Sequence, residues 1–312
     1  GPQVCTQWNR GRVASDTRST QGYNKIKEEV DTMRRVTVTE LDQWQDCTAK
    51  WYFKYRDRLT PTKGESMGNR AYGSLAHKGA ETRLLLGRDD YEPAVRTYAD
   101  VIGADEKAIQ SALSAVRAIP QWVWKLQRPQ VETEISLRVP PYWEDDEEVW
   151  CGELELVGHP DVWGFVGENE ILVIDFKTTS ESPKARLNKI YAYEVQLKRY
   201  ASMLYTLMQQ GHFGPPIQNP IVGYQYIVTN YKGYCEVGGL NFLNQKIVDH
   251  VMWQANAIAR QIGSNYPASN VENYGPLCGW CEYWPICESS LTGGDPADII
   301  DTDFVVKEAV NV

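Results

Sequence analysis

The chain has 312 residues, 42% hydrophobic and 23% charged, the balance of an ordinary globular protein long enough to bury a full core in one large domain or two small ones. A formal net charge of −9 argues against a protein that coats nucleic acid by bulk attraction. No run approaches the roughly 18 apolar residues of a membrane span, and residues 1–20 lack the apolar core of a secretory signal, so a cytoplasmic protein without a membrane partner is expected.

Gly1-Pro2 reads as the remnant of a cleaved tag, and residues 1–35, polar and without a period, as a flexible lead-in. From Thr39 to Arg58 the pattern is helical, with Thr39 as the cap and Leu41, Trp44, Cys47, Trp51 and Tyr55 at helix spacing. A loop with Pro61, Gly64 and Gly68 follows, then a helix over Ala71–Leu86 and further helices over residues 91–127, ended near Pro120 and Pro129. Val131–Val139 and Trp150–Val157 alternate like strands, and Ile171–Phe176 is a continuous apolar run expected as a central strand buried on both faces. Glu194–Gln209 is an amphipathic helix, Ile221–Val228 a buried strand, and Asn241–Ile262 a long helix before a tail rich in Cys, Trp and Pro. The divisions expected are a lead-in (1–35), a helical subdomain (36–130), an α/β core (131–265) and a Cys-rich segment with tail (266–312).

Two segments carry chemistry: Gly158-His159-Pro160-Asp161 at a strand end, and Asp175-Phe176-Lys177 closing the apolar run. Residues two apart in a strand face the same side, so Asp175 and Lys177 project together, and Asp161 joins them from the neighbouring strand. Phosphodiester hydrolysis needs this mixture: hard oxygen ligands hold a divalent ion that clamps phosphate and activates water, while a cation steadies the developing charge. A buried Asp at a strand end is costly unless a metal or hydrogen bonds satisfy it. A negative total charge does not exclude a nuclease, because a carboxylate site is acidic by construction. Arg34-Arg35, Lys50/Lys54/Arg56/Arg58 and Lys184/Arg186/Lys189 are candidates for a local basic groove, although each alone is more simply a solvated helix face. Glu132 and Glu134 read as structural, and His212 and His250 as surface or packing residues.

Four motifs in order, His77 within Gly73-Ser74-Leu75-Ala76-His77, Gly158-x-x-Asp161, Asp175-x-Lys177-Thr178 and Gln196-x-x-x-Tyr200, make residues Val38 to Cys287 resemble the PD-(D/E)XK nuclease superfamily. The nearest branch is the RecB-like one, with the AddB nuclease domains and the CRISPR-associated exonucleases of the fourth Cas family. The resemblance implies a restriction-endonuclease-like α/β fold: a mixed central sheet flanked by helices, with a helical N-terminal subdomain. It also implies Mn²⁺ or Mg²⁺ held by His77, Asp161, Asp175 and the Phe176 carbonyl, and an imidazole ligand tends to favour Mn²⁺. Gln196 and Tyr200, one helical turn apart, would sit near the centre, Gln196 aiding Lys177 or the DNA and Tyr200 touching the strand. Glu81, one turn beyond His77, is a supporting candidate.

Seven cysteines, an odd number, make a disulfide framework unexpected. Cys278-x2-Cys281-x5-Cys287 supplies three thiolates, and Cys47 is the natural fourth for a cysteine-held metal, zinc or iron–sulfur. Similarity to the iron–sulfur nucleases of the same branch implies a 4Fe-4S cluster that staples the two ends of the chain, shielded by Trp280, Tyr283, Trp284 and Pro285. Cys5, Cys151 and Cys235 read as ordinary residues.

The chain has no Walker A loop and is not expected to be a helicase–nuclease by itself. By family analogy it degrades DNA from an end, as single strands and from the 5′ side, in phage or bacterial recombination, repair or CRISPR adaptation. Partners would be a helicase, a recombinase or a CRISPR adaptation protein. Trp44, Trp51, Tyr52 and Tyr191 are aromatics that can stack bases, though most are expected in the core. The alternatives are a structure-specific endonuclease and a non-catalytic iron–sulfur DNA-binding protein.

Overall fold

The computed structural model describes residues 33–62, 67–86, 90–140, 142–144, 147–149, 153–193, 195–264 and 278–307. In chain order it contains β1 (Arg34–Thr37), α1 (Val38–Asp46), α2 (Thr48–Trp51), β2 (Leu59–Pro61), α3 (Met67–Leu86), α4 (Glu92–Ile102) and α5 (Glu106–Ala118). Then come β3 (Gln127–Val131), β4 (Ile135–Arg138), β5 (Tyr142–Glu144), β6 (Glu147–Val149), β7 (Leu154–Gly158), β8 (Val162–Gly167) and β9 (Glu170–Thr179). The chain continues through α6 (Pro183–Tyr193), α7 (Gln196–Gln209), β10 (Ile221–Asn230), β11 (Cys235–Val237), β12 (Asn241–Phe242) and α8 (Gln245–Gly263), and closes with α9 (Trp284–Leu291), α10 (Ala297–Asp303) and β13 (Phe304–Val306).

The main sheet runs β11-β10-β9-β8-β3, with β12 also on β10, and a second sheet runs β1-β7-β4. β9 lies at the middle of the main sheet, parallel to β10 and antiparallel to β8. Its apolar run explains that place, because both faces are covered. Ile171 and Val173 pack into the cluster that holds Leu197, Ala201 and Leu204 of α7. Leu172, Ile174 and Phe176 pack with Ala80 and Leu84 of α3. Strand alternation therefore puts Asp175 on the α7 side and Phe176 on the α3 side.

Helices α3, α4 and α5 form a cluster of their own around Leu75, Val95, Leu113 and Val116. The C-terminal segment docks on residues 53–61. Tyr283 stacks between Phe53 and Phe304, at 5.8 and 5.5 Å between ring centroids. Its hydroxyl donates to the Leu59 carbonyl at 2.8 Å, and β13 pairs with β2.

Several expectations are corrected. Arg34–Thr37 is a strand parallel to β7 rather than lead-in. The first helix is capped by Thr37, whose hydroxyl accepts from Glu40 N at 3.1 Å, because Thr37 has the extended backbone that a cap needs while Thr39 is already inside the first turn. The helix does not run on to Arg58. It breaks at Cys47, whose extended backbone and Sγ start α2 afresh, and the turns continue as a π-helix over Tyr52–Arg56. Val131–Val139 is two strands, parted where Glu132 adopts a left-handed φ of 47°. The expected strand Trp150–Val157 is Leu154–Gly158, with residues 150–152 outside the described ones. Asn241–Phe242 pairs with β10, and the helix after it begins at Gln245 under an Asn244 cap. β2 occupies part of the loop expected after Arg58, Gly68 lies within α3, and Gly64 falls outside the described residues.

Candidate active site

β7 ends at Gly158, and the chain bends through His159-Pro160 into β8 of the other sheet. Asp161 thus opens β8 rather than closing the strand before it. The register pairs Val162 with Ile174, so Asp161 enters opposite Asp175. Two backbone contacts hold it. Its Oδ2 accepts the Phe176 N–H at 2.7 Å, and its carbonyl accepts the Glu132 N–H at 3.0 Å.

Asp175 is buried at 3% exposure. Lys177 Nζ pairs with its Oδ2 at 2.9 Å. Burial pushes the Asp175 carboxyl up to about 7, and the Asp161 charge pushes in the same direction, while Lys177 draws it down. Burial raises Asp161 to about 6 against the pull of Lys177 and the Phe176 N–H. His77 Nδ1 stands 3.7 Å from Asp161 Oδ1. Burial lowers the pKa of its imidazole, while Asp175 and the Phe176 carbonyl act the other way. A neutral imidazole has a lone pair to offer.

The donors suit a hard divalent ion: two carboxylates, an imidazole and a carbonyl. A cation there would offset the burial that lifts both acids and the Asp161 charge that lifts Asp175 further. Among the described residues, however, no three His, Cys, Asp or Glu side chains are drawn close enough to make a finished metal site.

Gln196 and Tyr200 reach this centre from α7. Gln196 Nε2 donates to the Tyr200 hydroxyl at 3.0 Å and to Thr39 Oγ1 at 3.3 Å. Burial pushes Tyr200 up to about 12, with the Asp175 charge the next cause. Its ring lies so close to Gly158 that a Cβ there would meet Cδ1 at 2.8 Å. The glycine of Gly158-x-x-Asp161 is therefore the space in which Tyr200 sits. On the next position of α7, buried Arg199 binds Asp42 and Gln45 and fixes the helix to α1.

The chain matches the profile of the PD-(D/E)XK nuclease superfamily over residues 35–288. It belongs to that superfamily. The mixed central sheet with flanking helices agrees with the fold, and nucleases of this kind act on DNA with divalent metals such as Mg²⁺ or Mn²⁺. Among solved structures, a protein of Eubacterium rectale named provisionally as an exonuclease is similar, at 9% identity and a TM-score of 0.48, over 90% of this chain and 100% of its own. The crystal structure of SSO0001 is similar at 11% identity and a TM-score of 0.33, over 86% of this chain and 93% of its own. No curated protein matches the chain.

Glu132, expected to be structural, lies beside this candidate centre. Glu132 shares a cavity of about 580 Å³ with His77, Lys78, Glu81, Tyr98 and Thr178. Its charge raises both His77 and Asp161, and its left-handed backbone aims its N–H at Asp161. The break in alternation at residues 132–134 is the signal that could have found it. Glu81 lines the same cavity and pairs with Lys78 at 2.9 Å. His159 points elsewhere, to Glu134 at 3.6 Å, and His212 and His250 are exposed.

Arg34-Arg35 does not line a groove. Arg34 donates to the Ile262 carbonyl at 2.9 Å and pairs with Glu40, while Arg35 binds Glu134 and Glu155. Lys50 pairs with Glu282 and Lys189 with Glu181. Trp44 and Trp51 are core, stacked edge to face at 4.7 Å, and each indole N–H donates inward. The Tyr191 side chain lies outside the described residues.

Cys47, Cys278, Cys281 and Cys287 are half-buried, and none is in a disulfide. Burial first, then the charges of Cys281, Cys47 and Cys278, push the Cys287 thiol up to about 11. Cys281 is raised chiefly by burial, with Cys47 a lesser cause. The four thiols thus share one neighbourhood without forming a finished site among the described residues. Cys235 lies apart on β11, and Cys5 and Cys151 fall outside the described residues.

Proposed function

We propose that this chain is a metal-dependent DNA exonuclease of the RecB-like branch, cutting single strands from the 5′ end. The observation that supports it most is buried Asp175, opposite Asp161 in the strand register and paired with Lys177 at 2.9 Å. Asp161, Asp175, His77 and the Phe176 carbonyl are the residues that would hold Mn²⁺ or Mg²⁺. The ion supplies charge neutralisation of the phosphate and a more acidic water. Lys177 orients the attacking water and balances the charge that develops on phosphorus-bound oxygens. The Gln196–Tyr200 pair fixes the side of the centre where the strand lies. The polarity, the single-strand preference and a cytoplasmic place in recombination, repair or CRISPR adaptation, beside a helicase, recombinase or adaptation protein, rest on the resemblance of the motifs.

Cys47, Cys278, Cys281 and Cys287 would hold a 4Fe-4S cluster, with Zn²⁺ the rival occupant, joining the N-terminal helices to the C-terminal segment. The mutual effect of their charges supports a common occupant.

The test is purified protein with Mn²⁺ or Mg²⁺ on 5′- or 3′-labelled single- and double-stranded DNA. Stepwise loss from the 5′ end of single strands is expected. Cutting of end-blocked circles would replace the exonuclease by an endonuclease, and no cleavage with either ion would end the nuclease reading.

A further inference from the structure

The catalytic centre borders a second cavity, of about 610 Å³, outside the C-terminal ends of β9 and β10. Thr178, next to Lys177, forms a wall of this cavity and of the one holding His77 and Glu132. The volume falls within the roughly 300–1,000 Å³ of small-ligand sites.

Its lining is polar and carries two cations, Lys107 and Arg186, beside two carboxylates, Asp105 and Glu181. Lys107 is exposed with no hydrogen bond or ion pair among the described residues, and Arg186 faces it from α6. The two acids in the wall are already satisfied. Asp105 caps α5 by accepting from Ala108 N at 2.7 Å, and both oxygens of Glu181 accept from Lys189 at 2.8 Å. Tyr72 lines the wall, nine-tenths buried, with its hydroxyl turned into the protein beside Thr229. At the mouth, the Tyr231 ring is 42% exposed, with the Lys232 ammonium 5.5 Å from its centroid.

An exposed lysine and an arginine on the wall, with an exposed ring at the rim, match a nucleotide whose phosphate goes in while its base stacks outside. We propose that this cavity seats the nucleotide next to the one being cut in a single-stranded DNA substrate, with its phosphate on Lys107 and Arg186 and its base on Tyr231. The proposal rests on the nuclease reading above.

The test uses the full chain and a fluorescent single-stranded oligonucleotide in metal-free buffer over a range of salt, with cleavage in Mn²⁺ measured in parallel. Tyr231→Ala should weaken binding roughly 5- to 150-fold, the range of one lost base stack. Lys107→Ala should weaken it several-fold and flatten the logarithmic salt slope by about 0.7, the value for one phosphate contact on a single strand. Lys246→Ala, on α8 away from the cavity, should bind as the unaltered chain does. Circular dichroism checks that the variants are folded. If both variants bind like the unaltered chain while that chain cleaves DNA, the cavity is off the strand path and the nuclease reading stands. Equal weakening by Lys246→Ala would also overturn the proposal, since it would mark general charge attraction. Weakened variants with no cleavage by the unaltered chain would keep the cavity as a DNA site and remove the nuclease reading. An unaltered chain that neither binds nor cleaves ends both.

Discussion

Asp161 Oδ2 accepts the backbone N–H of Phe176 at 2.7 Å, and this bond sets one acidic residue against the strand that carries the other. Asp161 is placed by the main chain rather than by its own rotamer freedom. The remaining carboxylate oxygen faces His77. An arrangement held this way resists the repulsion between two acids that would otherwise part them.

Asp175→Asn removes a ligand charge while keeping the shape. Cleavage in Mn²⁺ should fall by more than the roughly 10²-fold of a lost supporting group. The circular dichroism spectrum should stay unchanged, and the melting temperature without metal should not drop, because a buried charge has been removed. A variant that melts far earlier would mean that Asp175 is structural.

The raised carboxyls set a pH dependence. The ordinary value is 3.8, while Asp161 and Asp175 sit at about 6 and about 7 when folded. The folded chain then holds protons that the unfolded chain has released. The associated stability is complete below about pH 4 and is lost as pH rises through 6 to 7. A divalent ion binds the ionised pair and releases those protons. Melting curves with and without Mn²⁺ should show a larger upward shift at about pH 8 than at about pH 5.5, and equal shifts would contradict the assignment.

Gly158→Ala drives a Cβ into the Tyr200 ring at 2.8 Å. Overpacking of this kind costs about 1–3 kcal/mol, readable in urea unfolding. A smaller residue at Tyr200 should recover part of that loss, so the double variant Gly158→Ala/Tyr200→Leu should be less destabilised than the sum of the single ones. Strict additivity would show that the ring is not what the glycine accommodates.

Serine at Cys47 or Cys281 should bleach absorbance near ~400 nm, where iron–sulfur clusters absorb, and lower the melting temperature. Stoichiometric zinc in a colourless protein would instead assign the thiols to the rival metal.

Much of the centre was legible because strand β9 writes its burial directly into its residues: four aliphatics, then a charged pair two apart. The 3.6-residue period of a helix likewise placed Gln196 and Tyr200 on one face of α7. What stayed hidden depends on contacts distant in sequence. Arg34–Thr37 is short and mostly polar, and it is a strand only because β7 lies beside it. Cys47 sits at helix spacing, yet its backbone is extended, with φ −163°, and interrupts the helix. That Gly158 and Asp161 belong to two different sheets is a matter of how the chain bends at Pro160. Glu132 joins the site through a left-handed φ that no composition rule announces for a glutamate.

The most direct test of the central claim is a calorimetric titration of Mn²⁺ into the chain and into its Asp175→Asn variant. The account predicts binding by the unaltered chain, with proton release at neutral pH, and its loss in the variant. Binding of equal strength and stoichiometry in both proteins would show that Asp161, Asp175 and His77 do not gather around a divalent ion.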